Sequence, residues 1–567
     1  MYTRPVGGSR RVITSKGPAT HHVHLAGPHP IISHFLERMT FARIVGSCLN
    51  TTRDGILDHA QTLSILIHNI LISPAPLYRI SEWAAPIDHE VLGLSTTQKK
   101  AINDDRLARS LDALTSPKAR NLFFRLALHI IKQFELDTSR IHQDTTSVTF
   151  HGQYKSSDRT PRITHGFNKD HRPDLKQLVF GLNVCADGAV PICHEVYSGN
   201  RTDDTVHRSN VERLREILGR DDFIYVADSK LCTRKNLEYV AGYGGKFVTV
   251  FPRTRAEETS FREKLREGAG VRWRKLLEME NKRSKNAPPV IYWTSADGAK
   301  QSAEGYRIVW CRSSQKAQID AEAREAALQK AEAELVDLNA RLNRGKLRKQ
   351  APIKQEINKI LRQHRCQRFL QVRIGFNVHT QTKYLRAGRP RKGDPAKRIR
   401  IRIYRLECRR DKQALQAEAR TDGVFSLITN LTTTPKKEIL LIYKYQPYIE
   451  KRYALFKTEL GVAPVYLKKP NRAAGLVHTT FLAMMVDALI ERALRRGMER
   501  EGIEALPILP EGRMTRTPTT ARVLEMFNGV SWYEFEREDE TVTFPIELTP
   551  LQCLLLQLLD IDQSVYA

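Results

Sequence analysis

The chain has 567 residues, a formal net charge of +28 and a sequence pI of about 9.8. Hydrophobic residues make up 41% of it, which is enough for packed cores and excludes an intrinsically disordered protein. A basic excess of this size indicates a polyanionic partner, most simply nucleic acid. The excess is spread along the chain rather than gathered in one amphipathic helix, so we expect no membrane partner, although charge alone leaves a membrane-surface protein open.

The cysteines and the apolar segments of the sequence indicate the cellular compartment. Eight cysteines are scattered along the chain without a C-x-x-C pair, which is typical of a reduced protein without a structural zinc site. We find no apolar run of the roughly 18–20 residues that a transmembrane helix needs, and the first residues lack the apolar stretch of a signal peptide. We therefore expect a cytoplasmic protein that associates with the nucleoid through DNA binding.

Residues 1–137 are predicted to form a helical N-terminal domain. Apolar residues recur at helical spacing after Pro30 and again from Leu107, where Asn103 provides a capping residue ahead of the helix. A compact helical domain ahead of a larger core often binds DNA. A plain helical scaffold fits the same composition equally well.

From residue 138 the apolar period changes from 3.6 to 2, which predicts strands. We expect them at 177–184, 190–196, 223–228 and 247–251, with Asp187 and Gly188 forming a hairpin turn between the first two. A helix pattern between the second and third strands makes this a mixed α/β sheet flanked by helices. Residues 138–253 are therefore the predicted first part of the core.

A large α+β insertion is predicted at residues 254–420. Leu328, Leu335 and Leu342 recur every seven residues, which indicates the seam of a helical hairpin. Further on, three arginines alternate with isoleucines and predict a strand that carries all three on one face: Arg398, Arg400 and Arg402. These arginines either track a phosphate backbone or form a solvated edge that blocks aggregation.

The sheet is predicted to resume after the insertion. Residues 421–504 form the second part of the core and residues 505–567 a C-terminal segment. Pro447 fits the first turn of a helix in which Ile449 and Tyr453 recur at helical spacing.

Three carboxylates in these elements can serve one chemistry. Asp144 lies at the start of a strand region, Asp228 ends a strand and Glu450 lies on the later helix. Three carboxylates at one sheet edge can hold two Mg²⁺ ions, because hard cations prefer oxygen ligands. Two such ions activate an attacking oxygen and stabilise the leaving one in phosphoryl transfer, so no protein nucleophile is needed. The chain has no Gly-x4-Gly-Lys-Ser/Thr loop, which argues against an ATP motor.

The sequence resembles the DDE insertion-sequence transposases, in the group whose last acid lies in the signature Tyr-x2-Arg-x3-Glu-x6-Lys. This chain reads Tyr443-x2-Gln446-x3-Glu450-x6-Lys457, with all the spacings kept and Gln in place of Arg. The stretch 166–177 is also similar to that group, and the resemblance covers roughly residues 20–500. It implies a ribonuclease-H-like core interrupted by an insertion.

The resemblance also implies roles for the signature residues. Asp144, Asp228 and Glu450 would bind two Mg²⁺ ions, with Mn²⁺ able to substitute. Tyr443 and Lys457 would contact the DNA of the transposon ends, and we count Gln446, between them, with the DNA-binding residues.

The implied reaction is attack of water at the 3′ end of a mobile element, followed by attack of the freed 3′-hydroxyl on target DNA. Family members commonly act as homodimers on paired ends of double-stranded DNA. Two other readings stay open. One is a nuclease or resolvase on the same core that cuts without joining, and the other is a non-catalytic DNA-binding relative.

Overall fold

The structure is a computed structural model that describes residues 20–49, 56–154, 161–168, 172–202, 205–281, 287–385, 389, 395–461, 467–537 and 540–566. Part of the predicted N-terminal domain (1–19) and part of the 166–177 stretch (169–171) lie outside these residues. The chain divides into two compact units: Met1–Phe247 with Ile442–Ala567, and Val248–Leu441. The predicted insertion at 254–420 falls within the second unit, and the five-domain division stays a prediction.

The first unit opens with a strand and a run of helices. Asp58 and Gln61 cap the third helix reciprocally, and the side chain of Asn103 caps the sixth by accepting from the backbone N–H of Arg106 at 3.0 Å. The strand was not predicted. The elements are β1 (Thr20–Leu25), α1 (His29–Arg38), α2 (Phe41–Cys48), α3 (His59–Ile72), α4 (Ile80–Ala84), α5 (Thr96–Lys100), α6 (Asp104–Ala113) and α7 (Pro117–Gln133).

The mixed sheet begins next, with four strands in this unit. They are β2 (Arg140–Phe150), β3 (Lys176–Cys185), β4 (Pro191–Ser198) and β5 (Ile224–Ala227), and two helices accompany them, α8 (His207–Leu218) and α9 (Arg234–Gly242). The strand order is β4-β3-β2-β5, antiparallel except for the parallel pair β2 and β5. β3 is buried along nearly its whole length, as its apolar sequence requires. This mixed α/β arrangement agrees with the predicted fold class.

The second unit and the elements that lead into and out of it contain the other five sheet strands, in the order β6-β12-β9-β8-β7, and a separate two-stranded ribbon, β10-β11. The predicted leucine seam is confirmed, because Leu328, Leu335 and Leu342 are all buried in one apolar cluster. The elements are β6 (Lys246–Val250), α10 (Ala256–Arg266), β7 (Arg274–Met279), β8 (Val290–Ser295), β9 (Arg307–Ser313), α11 (Ser314–Arg341), α12 (Gln350–Gln363), β10 (Leu370–Tyr384), β11 (Ala396–Arg410), α13 (Lys412–Ala419), β12 (Val424–Thr429) and α14 (Lys436–Lys444).

The chain then completes the first unit with α15 (Pro447–Ala454), α16 (Pro470–Arg500), α17 (Thr520–Glu525), β13 (Ser531–Arg537), β14 (Glu540–Phe544) and α18 (Pro550–Leu558). Strands β13 and β14 join β1 in a three-stranded antiparallel sheet of order β1-β13-β14. The two ends of the described chain therefore pair with each other, from Thr20 opposite Glu536 to Leu25 opposite Ser531.

Helix α16 is the core of the first unit. It packs against α1, α3, α6, α18 and β4. Two glycines permit this, because a Cβ at Gly475 would lie 2.2 Å from the carbonyl oxygen of Leu111 and one at Gly497 would lie 2.0 Å from that of Leu558. We expected no helix long and apolar enough to span a membrane. By length and composition α16 is such a helix. Of its most apolar stretch of 18 residues, 89% is buried inside the protein.

Candidate active site

The first two predicted acids lie at matching positions of neighbouring strands. The parallel pairing of β2 with β5 ends with His142 opposite Val226. Asp144 and Asp228 each follow two residues later, and the backbone of Asp228 is still extended. Because side chains alternate along a strand and neighbouring strands lie about 4.8 Å apart, the two carboxylates share one face and one level of the sheet. Asp144 thus lies on β2, and Asp228 directly follows the end of the neighbouring strand β5.

Local backbone hydrogen bonds orient both carboxylates. Oδ1 of Asp144 accepts from the backbone N–H of Thr145 at 2.7 Å. Oδ1 of Asp228 accepts from the backbone N–H of Lys230 at 2.9 Å and caps the short helical turn that follows β5. Both side chains are half-buried. Their positions are therefore set by the ends of the strands and not by mobile loops.

The third acid lies on helix α15, which contacts the same strand. Gln446, Glu450 and Tyr453 occupy positions i, i+4 and i+7, and so share one face of the helix. Nε2 of Gln446 donates to the carbonyl oxygen of Gln143 at 2.9 Å, and the hydroxyl of Tyr453 donates to the carbonyl oxygen of Asp144 at 2.5 Å. Glu450 lies between these two contacts along the helix, and its side chain is exposed to solvent.

The Tyr443 hydroxyl lies within electrostatic range of all three acids. Burial raises the pKa of the Tyr443 hydroxyl, and the negative charges of Asp228, Glu450 and Asp144 raise it further. Such charge effects fall off with distance, so the phenol lies near all three carboxylates. It stays protonated at neutral pH and can act as a hydrogen-bond donor beside them.

The donor chemistry at this edge of the sheet fits a hard divalent cation, because all three side chains offer carboxylate oxygens. In the described part of the chain, however, no three His, Cys, Asp or Glu side chains are gathered closely enough to hold a metal ion. The fit to Mg²⁺ therefore rests on donor type and on the backbone placement of the acids.

A buried arginine that we did not predict holds α15 in place. Arg452 donates to Asp487 at 2.7 Å and to Glu491 at 3.0 Å, both on α16, and to the carbonyl oxygens of Gly188 and Ala189 at 3.1 Å. It thereby ties the helix of Glu450 to α16 and to the hairpin between β3 and β4. The sequence signal was a pair of acids in the apolar stretch of α16, Asp487 and Glu491, because buried acids require partners.

The other signature residues have different surroundings from those expected. The amide of Gln446 is buried. Its Oε1 accepts from Nδ1 of His142 at 3.0 Å, and its Nε2 donates to Gln143 as described above. Gln446 therefore has an internal role instead of the predicted contact with DNA. Lys457 lies in a π-helical turn, Leu455–Glu459. Because this turn is wider than an α-helical turn, Lys457 does not repeat the direction of Glu450 two regular turns later.

The predicted arginine row belongs to the second unit. Arg398, Arg400 and Arg402 all lie on β11 with exposed side chains, and they alternate with isoleucines as predicted. Their role in DNA binding stays a prediction.

Three comparisons relate this chain to known proteins. A family model described as Domain of unknown function (DUF4277) matches residues 23–128, which include most of the N-terminal helices. No curated protein matches the sequence. Among solved structures, the chain is similar to a cryo-EM structure of a piggyBac transposase synaptic complex with hairpin DNA, with 8% identity, a TM-score of 0.34, and coverage of 88% of this chain and 77% of that one. A likeness this distant assigns neither the fold nor the function.

Proposed function

We propose that this protein is a DNA transposase of the DDE type, which cuts the ends of a mobile element and joins them to target DNA by metal-dependent phosphoryl transfer. The observation that supports the proposal is that Asp144 and Asp228 each follow the paired positions of neighbouring strands, while Glu450 lies on a helix that contacts the strand of Asp144. The signature around Glu450 supports it.

Asp144, Asp228 and Glu450 are the residues that would hold two Mg²⁺ ions, with Mn²⁺ able to substitute. When bound, the ions would activate the attacking oxygen and stabilise the leaving oxygen of the DNA backbone. The protein supplies two negative charges at the ends of paired strands and a third on α15, and negative charges of this kind concentrate divalent cations. The protonated hydroxyl of Tyr443 can donate a hydrogen bond to a phosphate oxygen, and the ammonium group of Lys457 supplies a positive charge for the DNA backbone.

We propose further that the partners are double-stranded DNA of the element ends and of the target, held by a homodimer in the cytoplasm. The formal net charge of +28 supports a DNA partner. A nuclease or resolvase would use the same carboxylates and release cut DNA without joining it. A non-catalytic relative would bind DNA only.

Asp228→Asn tests the proposal, with Asp337→Asn, an exposed residue of α11, as a control for the same chemical change. The substrate is a duplex carrying the terminal repeats that flank the gene, incubated with Mg²⁺ and a target plasmid. We expect Asp228→Asn to bind the ends as the wild type does and to lose cleavage and strand transfer by about a thousandfold or more.

Near wild-type strand transfer by Asp228→Asn would refute the metal-binding assignment. Cleavage by the wild type without any joined product would identify a nuclease or resolvase instead. End binding without either reaction would identify the non-catalytic relative.

A further inference from the structure

The ribbon formed by β10 and β11 is unusually long. Each strand has 15 residues, paired without interruption from Leu370 opposite Arg410 to Tyr384 opposite Ala396. At about 3.4 Å per residue the ribbon extends about 50 Å. An isolated two-stranded ribbon is only marginally stable in water, so a ribbon of this length needs support from elsewhere.

The support covers one half of the ribbon only. Leu370 and Tyr404 belong to the apolar cluster of the helical hairpin α11–α12. The side chain of Asn343 donates to the carbonyl oxygen of Tyr404 at 2.9 Å and accepts from its N–H at 2.7 Å. Arg410 pairs with Glu325 at 2.9 Å and with Glu332 at 2.7 Å. The half of the ribbon near these residues is therefore fixed to the helices.

The other half is exposed on both faces. Residues 376–383 of β10 are all exposed, and so are residues 396–403 of β11 apart from the half-buried Ile399. Even large apolar side chains are open to solvent here, with Val378 at 55% and Ile403 at 44% exposure. In a folded protein, apolar surface left open on a projecting element is typical of a binding site.

The ribbon is also strongly basic. Its two strands carry nine Lys or Arg residues and one acid, Glu407. One ribbon of 30 residues thus accounts for a net +8, whereas the whole chain of 567 residues has +28. Arg410 is neutralised by Glu325 and Glu332 of α11, and the remaining excess favours a polyanionic partner.

From this geometry and charge we infer that the distal half of the ribbon inserts into the major groove of duplex DNA. Within the transposase proposed above, the ribbon is then the element of the second unit that grips DNA. The major groove, about 12 Å wide, admits a two-stranded β-ribbon. The row of Arg398, Arg400 and Arg402 reaches the phosphates along one wall, and alternate residues face the base edges.

The pairing across the ribbon favours a groove over a lipid surface. On the isoleucine face each isoleucine stands opposite a side chain that forms hydrogen bonds: Ile403 opposite Asn377, Ile401 opposite His379, and Ile399 opposite Gln381. Amide and imidazole groups are costly to bury in hydrocarbon. Next to base edges they find donors and acceptors, while isoleucines pack against thymine methyl groups.

The test compares two triple variants that remove the same charge. Arg398→Gln/Arg400→Gln/Arg402→Gln changes the ribbon, and Lys354→Gln/Lys359→Gln/Arg362→Gln changes exposed residues of α12 in the same unit. Binding to a random-sequence duplex without terminal repeats is measured by fluorescence anisotropy, with EDTA, between 50 and 300 mM NaCl. We expect the ribbon variant to lower the log–log salt slope by about 2.7, at about 0.9 for each phosphate that is no longer neutralised, and the α12 variant to leave it unchanged.

Two further measurements identify the groove and the class of partner. Methylation of guanine N7, which projects into the major groove, should weaken binding by the wild type and not by the ribbon variant. Equal slopes for both triple variants, with melting temperatures equal to that of the wild type, would overturn the inference. So would ribbon-dependent binding to phosphatidylserine vesicles together with unchanged DNA binding, which would identify a membrane surface.

These outcomes are separate from the test of catalysis, because neither cleavage nor divalent metal enters the binding assay. Ribbon-dependent binding by a protein that never cuts DNA would remove the proposed function and keep the ribbon inference. Wild-type strand transfer by the ribbon variant, with an unchanged salt slope, would remove the ribbon inference and keep the proposed function.

Discussion

Arginines in two regions of this protein show opposite uses of one side chain. Arg452, under the candidate active site, is buried and neutralised inside the protein by Asp487 and Glu491. Arg402, on the ribbon, is exposed and lies 4.7 Å from the ring centre of Phe376. A charge compensated within the fold fixes an element in place, whereas a charge left at the surface is available to a partner. The buried arginine thus fixes the position of helix α15, which carries Glu450, whereas the exposed arginine on the ribbon is available to contact a partner.

The largest effect should come from the acid that the buried arginine positions. Glu450→Gln keeps the size of the side chain and removes one carboxylate from the candidate metal site. We expect a loss of about a thousandfold in Mg²⁺-dependent strand transfer, equivalent to about 4 kcal/mol. The exposed neighbour gives the control, since Lys451→Gln should keep activity within a few-fold. Equal activity of the two variants would show that α15 only packs on the sheet.

The next largest effect concerns the buried ion pairs. Arg452→Ala removes a buried guanidinium that lies 2.7 Å from Asp487 and 3.0 Å from Glu491, which should cost about 3–5 kcal/mol of unfolding free energy. Lys451→Ala, on the exposed face of the same helix, should change it by less than about 0.5 kcal/mol. Urea unfolding followed by circular dichroism measures both. A small effect of Arg452→Ala would mean that water or a rearranged side chain replaces the guanidinium.

Acid should weaken the first unit through its buried histidines. Burial lowers the pKa of His29 and of His478 from 6.5 to about 4. The folded protein keeps both neutral while the unfolded chain binds protons below pH 6.5, so stability is complete above pH 6.5 and falls as the pH drops towards 4. Each histidine contributes about 1.4 kcal/mol per pH unit in that window.

Thermal melts between pH 7.5 and 5 check this prediction. Nε2 of His194 lies 2.6 Å from Nδ1 of His478, and His478→Gln keeps a hydrogen-bonding group near that position. The variant should therefore retain about 2 kcal/mol more of its neutral-pH stability at pH 5 than the wild type does. Identical pH profiles would show that other groups cause the acid sensitivity.

The smallest effect on stability should come from the ribbon. Arg402→Ala removes only a cation–π contact at the surface, which contributes about 0.5–1 kcal/mol. The same change should lower the salt slope of DNA binding by about 0.9. A stability loss comparable to that of Arg452→Ala would show that Arg402 is a structural residue. The two arginines would then not differ in role.

Local patterns in the sequence predicted several of the elements, including the strands that lead to the two aspartates. The strands around Asp144 and Asp228, the helical hairpin and the alternating strand of Arg398 each follow from a period of 2, 3.6 or 3.5 within a short window. Strand ends that carry acids then meet at one sheet edge, because parallel pairing aligns them.

Features that depend on distant parts of the chain gave no such signal. Thr20 pairs with Glu536, and no local pattern in the histidine-rich β1 specifies a partner more than 500 residues away. Gln446 looked like a surface residue on an amphipathic helix, and its burial depends on Gln143 and His142 of β2. The π turn at Lys457 likewise departs from the regular spacing that the signature suggested.

Helix α16 sets the order in which this protein can fold during synthesis. Helices α3 and α6 bury their apolar faces against it, yet α7 ends at Gln133 and α16 begins only at Pro470. At roughly 5–20 residues per second, a ribosome needs about 17–70 s to make the intervening chain. For that time the N-terminal helices lack the surface they pack on. A nascent chain of this protein is therefore a substrate for chaperones until α16 emerges, and a product truncated before Pro470 should stay bound to them.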